Sequence, residues 1–466
     1  MRNNDRIVTK EELEKQHYFT DAIRELPHKP SSYCIVTYGC QMNAHDSEKL
    51  AGMLQEMGIR EAASREDADL VVFNTCCVRE NAERKALGNI TWLKEIRKKN
   101  PGLLIVVCGC MIQEPGMAEK VLKQYRFINL AFGTSNLHRF PELLYQTLES
   151  NDQQVVVEDR DVIPEGLPVQ RAREEFAYIT VMYGCNNYCS YCIVPYVRGR
   201  ERSREPDRIL QEAEELLNRG VKEIMLLGQN VNSYGKELQE NISFAGLLKR
   251  LDSAGIPRIR FMTSHPKDLS DELIETMSES NHILPQFHLP VQSGSNRILE
   301  EMNRHYTREQ YMERVNMLRS RIPGIGLSTD IIVGFPGETD ADFEDTKALV
   351  KEVCFDSAFT FIYSPRVGTR AASMPDQVPA DVASRRIQEL IRTQEAIQQE
   401  TMKRFVGNDE EVLVESISRR STYEVSGKGR HGISITMPGN HDDIGKIIRC
   451  RVTGIKNNTL TAEKKE

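Results

Sequence analysis

Three cysteines, Cys185, Cys189 and Cys192, stand close together in the middle of the sequence. Their spacing, C-x3-C-x2-C, puts three thiol groups on one short loop, where they can share one metal centre. A closed zinc site needs a fourth ligand, and the next histidine is only His265. Cysteine thiolates also hold iron–sulfur centres. The spacing therefore predicts a reactive centre with an open coordination position, and a zinc site completed by a distant ligand is the alternative.

A second set of cysteines, Cys40, Cys76 and Cys110, is widely spaced, and each one follows a different predicted strand. In an open parallel sheet the carboxyl ends of the strands border the crevice where ligands bind. We therefore expect these thiols to converge on a second metal cluster. Ordinary buried cysteines, which are common at strand ends, are the alternative. The cysteines predicted to be of that ordinary kind are Cys34, Cys77, Cys108, Cys354 and Cys450.

The elements that carry the second set alternate between strand and helix over residues 31–150. The segments SYCIVTY, DLVVFN and LLIVV predict strands, and helical periodicity predicts helices over about 43–57 and 81–98. This pattern favours an α/β domain with a parallel sheet. Residues 1–30 are polar and have no clear period, so they predict a flexible or surface-docked extension, and residues 151–171 predict a linker.

A second alternation over residues 172–403 predicts a partial or complete (β/α) barrel, and short strands over 404–466 predict a small β-barrel. The barrel strands are predicted at AYITVMY, EIMLLG, RIRFMTS, QFHLPVQ, LSTDIIVG and FTFIYS. Active sites of such barrels lie after the carboxyl ends of the strands. The polar residues found there suit a polar nucleoside, although each one would equally serve as a loop cap. They are Gln229, Asn230, Asn232, Ser264, His265, Gln292, Ser293, Asp330 and Gly334.

Composition narrows the class of protein. The 466 residues are 39% hydrophobic and 28% charged, and no apolar run approaches the length of a membrane-spanning helix. The charged N-terminus has no signal peptide, so we expect a soluble, cytoplasmic protein. In that reducing compartment eleven cysteines favour metal or redox chemistry over disulfides. The net charge of -7 disfavours indiscriminate nucleic-acid binding, so any such binding must be local.

Residues 172–400 resemble the radical S-adenosylmethionine (SAM) enzymes, through C-x3-C-x2-C with an aromatic residue, Tyr191, before its last cysteine, and through the βα repeats. The resemblance implies that Cys185, Cys189 and Cys192 hold a 4Fe-4S cluster. It also implies that SAM binds the fourth iron and that one-electron reduction cleaves it to a 5'-deoxyadenosyl radical. The expected cofactor contacts are Tyr191, Gln229, Asn230, Asn232, Ser264, Gln292, Ser293, Asp330 and Gly334.

The segments TYGCQMNAHDSE, NTCCVRENAE and VCGCMIQE are similar to the N-terminal domain of methylthiotransferases. This implies that Cys40, Cys76 and Cys110 hold a second 4Fe-4S cluster and that Cys77 is not a ligand. The C-terminal segment resembles a TRAM domain, so the resemblance spans about residues 31–466.

Short sequence segments indicate one branch of the methylthiotransferases. Gln41, Met42 and Asn43 follow Cys40, where other branches have GCKVN-like or GCPKN-like segments. Together with HLPVQSGS, MNRHYT and YSPRVGT, they resemble the branch that adds a methylthio group to carbon 2 of isopentenyl-adenosine beside the tRNA anticodon. The resemblance implies a monomeric enzyme that receives electrons from a flavodoxin or ferredoxin. The other branches modify threonylcarbamoyl-adenosine in tRNA or a ribosomal protein aspartate.

Basic residues indicate where RNA would bind. Arg198, Arg200, Arg202 and Arg204 alternate along the chain and would project to one side of an extended segment. Such a stripe can hold phosphates, whereas salt bridges with Glu201 and Glu205 or internal pairing with the acidic first domain are the alternatives. In the TRAM-like segment the predicted RNA contacts are Arg419 and Arg420. A noncatalytic RNA-binding protein with structural zinc at both cysteine sets is the second hypothesis.

Overall fold

The first alternation of strand and helix forms a parallel sheet in a computed structural model, which describes residues 7–77, 80–150, 152–158, 161–240, 242–419 and 421–465. Contacts divide the chain into two units. Unit 1 comprises residues 1–172, 182–186 and 192–204, and unit 2 comprises residues 173–181, 187–191 and 205–466. Within the described ranges, none of the helices has the length and apolar character needed to span a membrane.

Unit 1 contains a parallel sheet that has six strands in the described residues, in the order β2-β1-β3-β4-β5-β6. Its strands are β1 Ser32–Thr37, β2 Arg60–Glu61, β3 Leu70–Thr75, β4 Leu104–Gly109, β5 Leu130–Phe132 and β6 Gln154–Val156. The predicted strands are β1, β3 and β4, which the β-branched runs specify. Successive residues of β3 enter different cores, since Val72 packs in one hydrophobic cluster and Val71 in another. Both faces of the sheet are therefore covered.

Helices cover the sheet of unit 1. They are α1 Lys10–Glu25, α2 Gln41–Glu56, α3 Glu80–Lys99, α4 Cys110–Gln113, α5 Met117–Gln124, α6 Phe140–Ser150 and α7 Val194–Val197. The two predicted helices are α2 and α3, and both begin and end within two residues of the expected positions. The sequence did not predict α1, because part of its buried face is polar: Gln16 and Thr20 are buried, and Gln16 bonds Glu142 of α6. Residues 10–25 are thus a docked helix.

Unit 2 begins with parallel strands in the orders β11-β10-β7 and β12-β13-β14. These strands are β7 Phe176–Thr180, β10 Glu223–Leu227, β11 Arg258–Phe261, β12 Gln286–His288, β13 Gly326–Val333 and β14 Ser357–Ile362. Each one coincides with a predicted strand. The accompanying helices are α8 Pro206–Asn218, α9 Phe244–Ser253, α10 Asp271–Glu279, α11 Asn296–Glu301, α12 Arg308–Arg321, α13 Asp340–Val353 and α14 Ala380–Met402. A short antiparallel pair, β8 Met182–Tyr183 and β9 Arg202–Ser203, belongs to unit 1.

A closed five-stranded barrel ends unit 2, in the order β15-β16-β17-β19-β18, and confirms the predicted small β-barrel. Its strands are β15 Asp409–Ile417, β16 Glu424–Gly429, β17 Ser434–Pro438, β18 Ile447–Lys456 and β19 Thr459–Lys464. Its core includes Val412, Val414, Ile435 and Leu460. Alternation of buried and exposed residues along β18 shows why the strand pattern was visible in the sequence.

Buried ion pairs attach this barrel to the parallel strands of unit 2. Glu223 at the start of β10 accepts bonds from Arg258 Nε at 2.7 Å and from Arg260 Nε at 2.6 Å. The same two arginines donate to the backbone oxygens of Lys428 and Gly429 on β16, at 3.0 and 2.8 Å. The small barrel is therefore fixed to the amino ends of β10 and β11.

Candidate metal centres and cofactor site

The widely spaced cysteines follow three neighbouring strands of unit 1. Cys40 precedes α2 in the segment after β1, Cys76 directly follows β3, and Cys110 begins α4 after β4. Since β1 pairs with β3 and β3 with β4, all in parallel, the carboxyl ends of these strands meet at one edge of the sheet. The structure places all three cysteines at that edge.

Two glycines allow this edge to close tightly. Gly39 has φ +113°, and a Cβ built on it would lie 2.8 Å from Cys76 Sγ. Gly109 has φ +97°, and its Cβ would lie 2.4 Å from the backbone oxygen of Thr75. Any other residue would clash here in a strained backbone conformation. The residues before Cys40 and Cys110 are thus packed against the segment that carries Cys76.

Arg198 is a buried, charged side chain at this edge. It lies in the segment that follows the C-x3-C-x2-C motif, yet it belongs to unit 1 and is only 7% exposed. Its Nε donates to Cys110 Sγ at 3.2 Å, and its Nη2 donates to Asn43 Oδ1 at 2.8 Å and pairs with Asp46 Oδ2 at 2.8 Å. A buried cation beside a cysteine favours the thiolate, which is the form that binds metal.

Neighbouring groups shift the pKa values of Cys110 and Arg198. A hydrogen bond with Cys77 lowers the pKa of Cys110 to about 6, and Arg198 acts in the same direction while burial opposes both. Burial also disfavours the charge of Arg198, but Cys110, Asp46 and Cys40 hold its pKa well above the ordinary value. The charges and thiols suit an iron–sulfur centre.

In the part of the chain that the structure describes, no three His, Cys, Asp or Glu side chains are grouped closely enough to hold a single metal ion.

The cysteines predicted to be of the ordinary kind differ in burial. Cys77, Cys108 and Cys450 are buried as predicted, whereas Cys34 and Cys354 are only partly buried. Cys77 belongs to a small apolar cluster with Cys110, Ile193 and Val197. Burial raises the pKa of Cys450 to about 11, which leaves a neutral thiol.

The C-x3-C-x2-C loop is divided between the units. Cys185 and Cys192 belong to unit 1 and are partly exposed, while Cys189 belongs to unit 2 and is buried. Within unit 1, the backbone N–H of Cys185 donates to Gly199 O at 3.2 Å. Within unit 2, Ser190 follows Cys189, and its N–H donates to Met302 O at 3.0 Å while its O accepts from Ala371 N at 2.8 Å. The backbone at Cys185 and beside Cys189 is therefore held within the unit to which each cysteine belongs.

A second buried arginine, Arg304, lies beside Cys189. Its Nη1 is 3.4 Å from Cys189 Sγ and 3.5 Å from the hydroxyl of Tyr191. Its Nη2 donates to Pro290 O at 2.8 Å, and its Nε donates to Tyr306 Oη at 3.1 Å. None of these partners is a carboxylate. The sequence did not predict a role for Arg304 or Asp46, because only the fold brings them to the cysteines. The available signal was that Arg304 lies in MNRHYT and Asp46 lies in TYGCQMNAHDSE, two of the segments that carry the family resemblance.

Most of the predicted cofactor residues lie after the carboxyl ends of the unit 2 strands, whereas Asp330 lies within β13 and Tyr191 lies in the C-x3-C-x2-C loop. Asn230 follows β10 and donates to Asp268 at 2.8 Å, and Ser264 follows β11 and donates to His288 O. Gln292 follows β12 with φ +70°, and its N–H donates to Asp330 O of β13 at 2.9 Å. The other predicted residues lie in the same loops or strand ends: Gln229, Asn232, Ser293 and Gly334.

Several of these side chains carry buried polar atoms that have no partner among the described residues. They are Asn230 Oδ1, both amide atoms of Asn232, His265 Nε2 and Gln292 Oε1. Buried polar atoms are normally hydrogen-bonded, so several unpaired ones grouped in these loops are compatible with a polar ligand. Burial also holds the pKa of His265 far below its ordinary value, which keeps the ring neutral. The residues therefore fit a ligand with several hydrogen-bonding groups, such as SAM.

The predicted arginine stripe does not form. Arg198, Arg202 and Arg204 are buried, and only Arg200 is exposed. Arg202 donates to Val162 O at 2.8 Å, and Arg204 pairs with Glu165 at 2.6 Å within unit 1. Internal pairing, which was the alternative, describes these three arginines, although only Arg198 pairs with the predicted first domain, and Arg202 and Arg204 pair with residues of the predicted linker. The segment is not extended throughout: Arg198 keeps a helical backbone at the end of α7, Gly199 has φ +75°, and only Arg202 and Ser203 form a strand, β9.

The barrel arginines differ in exposure. Arg419 is exposed, and Arg420 lies outside the described residues. Arg449 and Arg451 are exposed on β18, although Arg451 pairs with Asp409 at 3.2 Å. Arg430 donates to Asn281 O at 2.7 Å. Arg200, Arg419 and Arg449 are therefore among the exposed basic residues of the predicted regions.

Comparison with known families agrees with this architecture. The model of the Radical SAM superfamily matches residues 179–350, and that of the Uncharacterized protein family UPF0004 matches residues 32–133. A tRNA-2-methylthio-N(6)-dimethylallyladenosine synthase of Clostridium perfringens is 50% identical over 436 residues, which cover 92% of this chain and 97% of that one. The protein of the same name from Clostridium botulinum is 50% identical over 433 residues, covering 92% and 96%.

Solved structures are similar in fold. The radical S-adenosylmethionine methyltransferase TsrM from Kitasatospora setae matches with a TM-score of 0.53 at 15% identity, over 73% of this chain and 77% of that chain. The cobalamin-dependent S-adenosylmethionine radical enzyme OxsB matches with a TM-score of 0.51 at 13% identity, over 79% and 56%. At these identities the likeness concerns the fold alone.

Proposed function

The chain belongs to the family of the tRNA-2-methylthio-N(6)-dimethylallyladenosine synthases, and we propose that it adds a methylthio group to carbon 2 of isopentenyl-adenosine beside the anticodon of tRNA. It is a radical SAM transferase. The observation that carries this conclusion is the 50% identity over 92% of the chain, a share too large to leave out either cysteine set.

A 4Fe-4S cluster and SAM follow from the radical SAM family. We assign that cluster to Cys185, Cys189 and Cys192, and a second one to Cys40, Cys76 and Cys110. When bound, these groups would supply one-electron cleavage of SAM, sulfur and a methyl group, which together permit replacement of an aromatic C–H bond. The location of three cysteines at one sheet edge, beside the buried Arg198, supports the second cluster.

The residues of the chain have separate tasks in this proposal. Arg304 holds the loop around Cys189 through a bond to sulfur, and the rest of its guanidinium is anchored at Pro290 O and Tyr306. Asn230, Asn232 and Gln292 offer their unpaired polar atoms to the amino acid or nucleoside groups of SAM. Neutral His265 can bond the same ligand without placing a positive charge beside the sulfonium of SAM.

The remaining partners are also proposals. Arg200 and Arg419 contact phosphates of the anticodon arm, because they are exposed members of the two predicted basic regions. Reduction requires an outside electron, which a flavodoxin or ferredoxin would deliver. We propose that the enzyme acts as a monomer in the cytoplasm, where its tRNA substrate is found.

Mass spectrometry of tRNA from a strain that lacks this gene tests the proposal directly. We expect the methylthio group to be absent from isopentenyl-adenosine and to return when the gene is restored. A variant with Cys40, Cys76 and Cys110 replaced by alanine is expected not to restore it. Retention of the methylthio group in the deletion strain would exclude this function.

Reconstituted enzyme separates the other hypotheses. We expect activity on isopentenylated tRNA, and activity only on threonylcarbamoyl-adenosine tRNA or on the ribosomal protein would assign another branch. Metal analysis after anaerobic reconstitution should find iron and sulfide. Near-stoichiometric zinc without iron or sulfide would instead support the noncatalytic RNA-binding protein.

A further inference from the structure

Arg198 uses its guanidinium in an unusual way for a buried arginine. Its Nη2 serves both Asp46 and Asn43, while its Nε is directed at Cys110 Sγ, 3.2 Å away. An arginine that only neutralises a carboxylate favours a two-bonded fork, with parallel N–H groups on both oxygens. In Arg198, the Nε–H group that could take part in such a fork donates to Cys110 Sγ instead.

The same segment contains an arginine that does form the fork. Arg204 donates through Nε to Glu165 Oε1 at 2.6 Å and through Nη2 to Glu165 Oε2 at 2.7 Å. Both arginines are 7% exposed. The difference between Arg198 and Arg204 is therefore not one of burial. It is the direction of Nε, which points to a carboxylate in one case and to a cysteine in the other.

The surroundings fix Arg198 in relation to the strand ends. Asn43, which accepts from Arg198, donates through Nδ2 to Tyr38 O and Thr75 O, both at 2.9 Å. The backbone oxygen of Asn43 in turn accepts from Asn74 Nδ2 at 2.8 Å. These bonds tie the first turn of α2 to the ends of β1 and β3. The guanidinium thus has a defined position relative to Cys40, Cys76 and Cys110.

We infer that Arg198 is a positioning residue that sets the charge balance of the centre held by Cys40, Cys76 and Cys110, with Asp46 as its opposing charge. This inference rests on the proposed function, which supplies the iron–sulfur cluster at these cysteines. A cation near a ligand sulfur stabilises the reduced, more negative state of a cluster, and a nearby carboxylate opposes this effect. The two side chains therefore act on the reduction potential in opposite directions.

The test uses the full chain with Cys185, Cys189 and Cys192 replaced by alanine, so that one cluster remains. Iron and sulfide content are measured first, and the midpoint potential is then taken from a redox titration followed by electron paramagnetic resonance. R198Q is expected to shift the potential to more negative values and D46N to more positive values. R198K keeps the charge and is expected to stay closer to the parent than R198Q.

Arg204 supplies the matched control, because it is equally buried on the same segment but pairs with Glu165. R204Q is expected to keep the parent potential. Equal potentials in R198Q and the parent, or shifts of the same sign in R198Q and D46N, would overturn the inference.

Two further outcomes are decisive. If R198Q fails to fold or to bind iron, the midpoint potential of D46N is the deciding measurement. A shift of that potential to more positive values supports the inference, and an unchanged potential overturns it. A parent protein without iron and sulfide would overturn the proposed second cluster together with this inference, whereas a parent with a normal cluster and indifferent variants would overturn this inference only.

Discussion

At the scale of single residues, each cysteine set has one buried arginine bonded to a sulfur. Arg198 has a carboxylate partner in Asp46, whereas the bonds of Arg304 go to a sulfur, hydroxyls and a backbone oxygen. A buried charge is costly unless it is compensated. Arg304 therefore has more to gain from a negatively charged ligand beside Cys189 than Arg198 has beside Cys110.

Replacing Arg304 with glutamine is expected to slow reductive cleavage of SAM about tenfold or more, because a hydrogen bond from a charged group contributes about 1.5–3 kcal/mol. The rate of 5'-deoxyadenosine release after reduction measures this. R370Q removes an exposed arginine that lies 3.8 Å from Glu301 and is expected to stay near the parent rate. A parent-like rate in R304Q at normal iron content would contradict the role assigned to Arg304.

At the scale of elements, the junction of β4 and α4 depends on one glycine. Gly109 combines φ +97° with a Cβ position 2.4 Å from Thr75 O. G109A is expected to destabilise unit 1 by about 2 kcal/mol or more, since the left-handed conformation and the clash both oppose alanine. Denaturant unfolding followed by circular dichroism gives the change.

Gly88 is the opposite case, because it is exposed in the interior of α3 and a Cβ there meets nothing within 4 Å. G88A is expected to raise the stability by about 0.5–1 kcal/mol through the lower backbone entropy of the unfolded chain. Opposite signs for the two Gly→Ala changes are the expected result. A neutral G109A would show that backbone conformation does not control the junction of β4 and α4, and a destabilised G88A would contradict the entropy argument for α3.

Elements also differ in how well the sequence predicted them. The buried β-branched runs of β3, β4 and β13 gave correct strands because alternation and composition agree locally. The sequence did not predict helix α1, because Lys15 and Gln16 form its contacts with Glu142. Polar residues at such positions leave no apolar periodicity in the sequence. The arginine stripe failed for a related reason: Arg198, Arg202 and Arg204 have partners that lie far away in sequence.

At the scale of the whole molecule, the parallel strands and the small barrel of unit 2 share one ion-pair network around Glu223. E223A would leave Arg258 and Arg260 buried without that carboxylate. Breaking a buried pair costs about 3–5 kcal/mol, so we expect a large fall in the unfolding midpoint of the full chain, in denaturant or on heating. E240A, which removes an exposed partner of Arg250, should cost about 0–1 kcal/mol. Equal midpoints for E223A and E240A would contradict this attachment of the small barrel.

The proposed RNA contacts, Arg200 and Arg419, lie far apart in the sequence. The double variant R200A/R419A is expected to weaken binding of the tRNA about tenfold, and each lost phosphate contact should reduce the slope of log K against log salt by about 0.7–0.9. Fluorescence anisotropy at several salt concentrations measures both. K120A, an exposed lysine on α5, is the control for general charge, and an unchanged slope in R200A/R419A would remove these arginines from the RNA-binding surface.

The sequence by itself determined the succession of elements and the residue types at the cysteine motifs, because strand alternation and motif spacing are local properties of the chain. Only the tertiary structure decided which charges accompany those cysteines. Arg198 is 88 residues from Cys110, and Arg304 is 115 residues from Cys189. Such pairs form when packing removes water and leaves a buried cation to find its acceptors, and no local pattern records which acceptors will be there.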